Sequence, residues 1–438
     1  MTNQLQGAGE ATAGRLIIKH AAEVVTCRGK EPKQGSAMNE LAIITDGAVV
    51  VENGLIVAVG TTEGILAHYP EAGSQVMDAS GKTVLPGFID SHTHLVFAGE
   101  RSEEFSWRLR GDTYMQIMQR GGGIASTVSA TRAASREELT RLGLDRLSSM
   151  LAMGITTVEG KSGYGLDLAT EIRQLEVMKE LNGLQPVEIV PTFMGAHAVP
   201  AEYKGDSSGY IRFINEKVLP EVAERGLAEF CDVFCEQGVF SLAESRELLL
   251  QAARLGMKGK LHADEIVELG GAELAAELGA ISADHLLHAS DKGIAALAAS
   301  CTVATLLPAT AFSLREPYAR GREMIDSGAA VALASDFNPG SCFTYSVPML
   351  LALAVLEMRL TPAEAITALT LNAAAAVNRA DRLGSLEPGK QADIVLLDQP
   401  SHLFLFYHIG INCVEQVLKR GQVVWRKAGK EAVYGTSR

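Results

Sequence analysis

Between residues 88 and 335 the chain repeats one device: a short apolar or β-prone run ends in polar or turn residues, and a stretch with helical periodicity follows. Eight such runs can be read, at 88–93, 155–159, 187–193, 231–236, 260–263, 281–285, 302–307 and 330–335. Alternation of this kind builds a parallel sheet covered by helices, and eight repeats are enough to close it into a (β/α)8 TIM barrel. Membership stays open at one point, because one run can lie outside the barrel while residues 100–130 supply another strand. The helices are marked more clearly. Ser135 and Glu138 read as a capping box ahead of the stripe Leu139, Leu142, Leu147, Met150 and Leu151, and Thr361-Pro362-Ala363-Glu364 opens an Ala-rich helix.

A barrel takes roughly 250 residues, so a chain of 438 leaves room for a second, smaller domain. Short β runs occur before the barrel, at Ala48–Val51 and Leu55–Val59, with a hairpin signal at Asn53-Gly54. They return after it, at Ala392–Asp398 and Val414–Trp425. The simplest account is an α/β chain in which a small β-sandwich is assembled from both termini, at 15–86 and 379–438, with the barrel inserted at 87–378. Residues 1–14 are polar and Gly/Ala-rich and are expected to be disordered.

Hydrophobic residues make up 47% and charged residues 21%, which permits a large core and excludes wholesale disorder. No apolar run reaches the roughly 20 residues that span a bilayer, and the N-terminus lacks a secretory pattern. The expectation is a soluble cytoplasmic protein without a membrane partner. A formal net charge of −13 argues against a nucleic-acid footprint, so an anionic small substrate would need a local basic clamp. The six cysteines, at 27, 231, 235, 301, 342 and 413, include no Cys-x-x-Cys pair. Cys231 and Cys235 read as parts of the strand Phe230–Glu236 rather than as zinc ligands.

The chemistry sits at the strand ends. In Gly87-Phe88-Ile89-Asp90-Ser91-His92-Thr93-His94, two histidines one residue apart share a face of an extended chain and can meet one metal ion. Taken alone, this motif fits a structural role equally well. Its companions are His262 in Lys260–Glu265, His285 in Ala283–Leu286 and Asp336 in Ala332–Gly340, each where a run ends. A single strand-end histidine is usually packed or hydrogen-bonded, but four such sites at the end where barrels gather catalytic groups point to a common centre. Imidazole suits zinc, iron and nickel, and a site with an open position activates water near neutral pH. The residues therefore indicate metal-assisted hydrolysis.

Val84–His94 and Leu386–Val395 resemble the two flanking signatures of the amidohydrolase superfamily. Phe97–Arg101, Lys161–Leu166, Gly195–Pro200, His262–Glu265 and Asp336–Ser341 match, in order, one branch of it that opens a small cyclic amide bearing a carboxylate tail. The likeness runs from about residue 15 to residue 430.

The resemblance implies one zinc or iron ion per subunit, held by His92, His94, His262 and Asp336. His285 would lie beside that set, and Glu265, His285 and Asp336 would move protons. Substrate-binding positions fall on Arg101, Tyr164, His197, Glu265, Asn338, Gly340 and Ser341, with Tyr114 beside them. Arg101 would clamp the tail of a small anionic heterocyclic substrate bidentately, and the active form is expected to be a homodimer. Some superfamily members carboxylate a lysine to bridge two metals. Lys161 follows an early strand within Lys-Ser-Gly-Tyr, which points to the one-metal type and a structural or substrate-facing ammonium. His288 is expected to be structural. Two rival readings stand beside this one. The Arg101 and Tyr164 motifs argue against an amino-heterocycle deaminase, and the complete ligand set argues against a non-catalytic binding protein on the same fold.

Overall fold

A computed structural model describes residues 14–112, 116, 120 and 122–428. All but the last residue of the expected N-terminal disorder, and Tyr114, lie outside the described residues. Each of the eight runs forms a strand: β6 (Phe88–Asp90), β7 (Ile155–Lys161), β8 (Glu188–Ala196), β9 (Phe230–Cys235), β10 (Lys258–Ala263), β11 (Ser282–His285), β12 (Val303–Leu306) and β13 (Val331–Leu333). They pair in sequence order and in parallel from β6 to β13. Residues 100–130 supply no strand among the described residues; they hold the helices Ser102–Leu109 and Ile124–Ala133. The two end strands meet just beyond their ladders. Thr93 bridges Phe337, the His94 amide donates to the Phe337 carbonyl at 2.8 Å, and the Asp336 amide donates to the His92 carbonyl at 3.1 Å. This seam closes the barrel.

The strands are buried on both faces because helices cover the outside and side chains fill the inside, so they read as nearly continuous apolar runs. The helix Arg136–Ala152 starts at Ser135, whose hydroxyl accepts from the Glu138 amide at 3.2 Å. Only this half of the expected capping box forms there. Complete boxes occur at Ser241 with Glu244 and at Thr361 with Glu364.

Strands from both termini make one mixed sheet in the order β16-β15-β14-β5-β1-β2-β3, with β4 added to β1. These are β1 (Arg15–Val25), β2 (Ile43–Glu52), β3 (Leu55–Thr61), β4 (Ser74–Asp78), β5 (Thr83–Pro86), β14 (Ile394–Leu397), β15 (Val414–Lys419) and β16 (Gln422–Arg426). An irregularity between Ile18 and Ala21, with His20 at φ 58°, lets β1 serve two halves: Arg15–Lys19 pairs with β4, and Glu23 and Val24 pair with β5. Leu16 and Ile18 from the first half share a core with Val84, Ile394 and Leu418 from the second. The alternate residues Leu85, Val395 and Val417 face the other way and join the core containing Phe88, Leu147 and Ile155. Among the described residues no helix is long and apolar enough to cross a membrane.

Candidate active site

His92, His94 and Asp336 sit on the closing seam, His262 is the last residue but one of β10 and His285 ends β11, so one rim of the barrel collects all five. His92 Nδ1 lies 2.6 Å from Asp284 Oδ2 and must donate to it, which leaves Nε2 as a lone-pair donor. That Nε2 is 3.4 Å from Asp336 Oδ1, and His94 Nε2 is 3.8 Å from the same oxygen. His262 Nδ1 faces Asp232 Oδ2 at 3.0 Å. The ligand-type atoms of His92, His94 and His262 lie within 4.8 Å of one another, as do those of His92, His285 and Asp336.

Burial, with mutual repulsion and the nearby Lys161 ammonium, holds His92, His94 and His262 well below the usual imidazole range, and burial brings His285 down to about 3. Burial thus favours the neutral form of all four. His92 Nε2, His94 Nδ1, His262 Nδ1 and both nitrogens of His285 are buried without a hydrogen-bond partner. Unpartnered nitrogens in such a cluster are unfavourable unless something accepts their lone pairs, and a divalent cation does so. Asp336 is pushed up to about 7 by burial while its Oδ2 accepts from Thr310 Oγ1 at 2.7 Å. Three histidines and one carboxylate fit a divalent metal.

The backbone is bent to make this arrangement. His285, Leu286, Asp336 and Asp264 all have positive φ, at 77°, 61°, 53° and 50°, a conformation that side-chain-bearing residues adopt mainly where surrounding structure enforces it. Asp264 shows how. Its carboxylate accepts from the amides of Leu269, Gly270, Gly271 and Ala272, at 2.9 to 3.0 Å. The turn thus fixed presents Glu265 to the site, with Oε2 3.5 Å from His285 Nε2. Burial raises the Glu265 carboxyl well above the usual range, and Asp336 and Glu236 add to the shift.

Beneath the histidines lies a buried ionic layer. Lys161 Nζ donates to Asp232 Oδ2 at 2.6 Å, to Glu159 Oε1 at 3.0 Å and to Asp284 Oδ2 at 3.4 Å. Lys260 Nζ donates to Glu159 Oε2 at 2.8 Å. Burial alone would lower the Lys161 pKa, but Asp232, Glu159 and Asp284 outweigh it and keep the ammonium charged. Lys161 is therefore structural, and through Asp232 and Asp284 it supports the groups that orient His262 and His92. Among the described residues no cysteine joins a potential metal group, and Cys231 and Cys235 are buried in β9.

Arg101, Tyr164, His197, Glu265, Asn338, Gly340 and Ser341 line one cavity of about 550 Å³ together with His94, His262, His285 and Asp336, and His92 lies buried behind it. Arg101 Nε donates to Glu104 Oε2 at 2.8 Å, and Glu104 also accepts from the Gly123 amide and Ser126 Oγ. A Cβ on residue 340 would fall 2.2 Å from Arg101 Nη1, so the guanidinium can lie across the loop only because residue 340 is glycine. His197 donates from Nδ1 to the Gly163 carbonyl at 3.0 Å and stacks on His94 with centroids 4.8 Å apart. Burial lowers it to about 4, and burial keeps the Tyr164 phenol protonated. Asn338 donates from Nδ2 to the Asp336 carbonyl and Ser341 Oγ and accepts at Oδ1 from the Gly340 and Ser341 amides. Its amide is fully engaged in shaping the loop.

Asp232, Asp284, Glu159 and Lys260 were not singled out from the sequence. A signal was present: charged residues alternate within otherwise apolar strands, as in Glu159 with Lys161 and Lys260 with His262. His288 lies at the outer mouth, where its amide donates to the Asp264 carbonyl at 2.8 Å.

The amidohydrolase family profile matches residues 83–424, and a bacterial imidazolonepropionase-like composite domain matches residues 47–72. An imidazolonepropionase of Clostridium tetani is 58% identical over 415 residues, covering 95% of this chain and 99% of its own. That of Parabacteroides distasonis is 54% identical, covering 93% and 98%. Among solved structures, a zinc-bound adenosine deaminase from Xanthomonas campestris superposes with a TM-score of 0.68 at 18% identity, covering 93% of this chain and 92% of that one. A triazine hydrolase from Arthrobacter aurescens gives 0.69 at 17%, covering 94% and 95%; at such identities the likeness establishes the fold alone. The chain belongs to the amidohydrolase family and, within it, to the imidazolonepropionases.

Proposed function

We propose that this chain hydrolyses the cyclic amide of 4-imidazolone-5-propanoate to N-formimidoyl-L-glutamate, the ring-opening step of L-histidine degradation. The observation that carries the reading is one cavity in which an arginine, a buried phenol and neutral imidazoles surround the His/Asp cluster, in a chain 54% to 58% identical to imidazolonepropionases over nearly its whole length.

His92, His94, His262 and Asp336 would hold one zinc or iron ion per subunit, the histidine-rich donor set and the paired state of Lys161 both supporting a single ion. When bound, the ion supplies Lewis acidity and lowers the pKa of water. Arg101 holds the propionate through a charge-assisted contact, while Tyr164 and His197 wall the ring. Water adds to the ring carbonyl carbon, the bond from that carbon to the ring nitrogen breaks, and the nitrogen leaves with a proton. Glu265, protonated by its burial, is suited to give that proton. His285, neutral and with both nitrogens free, and Asp336, with its raised pKa, are suited to accept the proton from water.

The test is the ultraviolet loss of imidazolonepropionate beside an assay for free ammonia. Ring opening without ammonia supports the reading. Ammonia release from an amino-heterocycle, without ring opening, would replace it with deamination.

A further inference from the structure

The helix Ser102–Leu109 buries none of its residues, yet one side of it faces the active-site cavity. Arg101 at its N-cap, Glu104 and Arg108 follow one another at spacings of three and four, so they lie along one face and line the same mouth. Glu104 is already committed to Arg101 Nε. Arg108 makes no ion pair among the described residues. Among those residues its only polar side-chain contact is a long one, from Nη2 to Ser313 Oγ at 3.4 Å, and its guanidinium carbon lies 5.3 Å from the Phe105 ring centroid.

An unpaired arginine on an exposed helix is ordinarily just solvated. Arg108 differs because it is half-buried and lines the cavity that holds His94, His262 and Asp336. Burial works against its charge, and the neighbouring Arg101 and Arg315 add to that, with Glu104 opposing. Of the other carboxylates lining this mouth, Asp112 pairs with Arg120 Nη1 at 2.8 Å, Glu316 is exposed at the rim, and Glu265 faces His285 across the cavity. A chain with a net charge of −13 thus places two arginines, Arg101 and Arg108, at the entrance to its site.

We propose that Arg108 is a second substrate-binding arginine, which joins Arg101 in a two-arginine clamp on the substrate's carboxylate and so sets selectivity for a carboxylate-bearing ring. The proposal rests on the functional reading above for the identity of the ring, but its recognition element is the carboxylate alone. Glu104 occupies Arg101 Nε, which leaves the Nη atoms of Arg101 and the Arg108 fork, engaged only by its long contact to Ser313, for the incoming anion. The same pair draws an anionic substrate toward an otherwise acidic surface.

The test uses the metal-loaded enzyme and its R108M, R108K and R101M variants. Steady-state kinetics are measured with imidazolonepropionate, and calorimetry measures binding of imidazole-4-propionate and its uncharged propanamide. Arg108→Met is expected to raise KM by about 10- to 100-fold with kcat nearly unchanged. It should weaken the carboxylate ligand by a similar factor and leave the amide ligand unaffected. Arg108→Lys should recover part of the loss, which separates charge from any disturbance of the helix. Unchanged KM in R108M, with R101M impaired, would overturn the proposal, as would equal loss of both ligands. A wild type that prefers the carboxylate ligand in an Arg108-dependent way but opens no imidazolonepropionate would defeat the functional reading and leave the clamp standing.

Discussion

Lys161→Met is the perturbation that most directly probes the foundation of the site. The wild-type layer sets two ammonium groups, Lys161 and Lys260, against Glu159, Asp232 and Asp284, with all five side chains buried. Methionine nearly matches lysine in length, so the substitution leaves little cavity and its effect is electrostatic. Glu159 keeps Lys260 at 2.8 Å, whereas Asp232 and Asp284 lose the only cation among the described residues that pairs with both. Removing one partner from a buried ion pair costs about 3 to 5 kcal/mol. The carboxylates can escape part of that cost by taking up protons, but this weakens the hold of Asp284 on His92 Nδ1 and of Asp232 on the His262 amide. Loss of such supports typically lowers metal affinity by about 10- to 100-fold. Denaturant unfolding of the metal-free protein should therefore shift to a clearly lower midpoint, and competition with a chelator should reveal the weaker metal binding. Metal affinity within about threefold of wild type, with an unchanged unfolding midpoint, would refute this account of the layer. Two metals per wild-type chain with a carboxylated Lys161 would refute the assignment of the ammonium itself.

Three further outcomes are expected. Glu265→Gln keeps size but removes the titrating proton, so turnover should fall by about 100- to 10,000-fold while metal content and KM change little; loss of metal in this variant would make Glu265 a ligand. Arg101→Met should lower kcat/KM by about 30- to 1000-fold without changing metal content, and unchanged efficiency would return Arg101 to an ordinary solvated role. Glu188 is held below the usual carboxylate range because Arg382 and Arg379 outweigh its burial. Its contribution is present above the ordinary carboxylate pKa and is lost as pH falls through the lower folded value. Glu188→Gln should thus cost about 1 to 2 kcal/mol at pH 7 and little in strong acid, and a pH-independent difference in melting would contradict the pairing.

All eight barrel strands were legible because burial on both faces makes each a continuous apolar run, and helices between them announce themselves by period and cap. Strand limits were less legible. β8 continues through Ala196 and β7 through Lys161, whereas β6 ends at Asp90, before the two histidines that follow it. The alternation that joins His92 and His94 survives beyond the ladder because Thr93 turns to the opposite side, where its hydroxyl donates to the Glu159 carbonyl at 2.6 Å. The ionic layer was not legible as a unit. Lys161, Asp232 and Asp284 are separated by 71 and 52 residues in the chain and become neighbours only when the barrel closes. Charge at alternate positions marks each strand as unusual, yet nothing local says which charge meets which. The commitment of Glu104 to Arg101 escaped for a different reason, since a run rich in Glu and Arg at the start of an exposed helix is what a solvated face also looks like.

The position of the site on the closing seam explains why such strained backbone persists there. β6 and β13 are each three residues long, so they offer few ladder bonds, and closure relies on the segments beyond them. The bonds that supply it, from the Asp336 amide to the His92 carbonyl and from the His94 amide to the Phe337 carbonyl, belong to residues of the site or their neighbours. Asp336 is held further by Thr310 on its carboxylate and by Asn338 on its carbonyl, at 2.7 Å each. A residue with a φ of 53° at the end of a strand would relax if one of these contacts held it alone. Three contacts on Asp336 itself, from three parts of the chain, with the His94 bond to the adjacent Phe337, leave it no other geometry, and the same contacts fix the spacing of Asp336 from His92 and His94. Barrel closure and the alignment of the ligand atoms are therefore one structural event, which makes a preorganised metal centre a consequence of completing the fold.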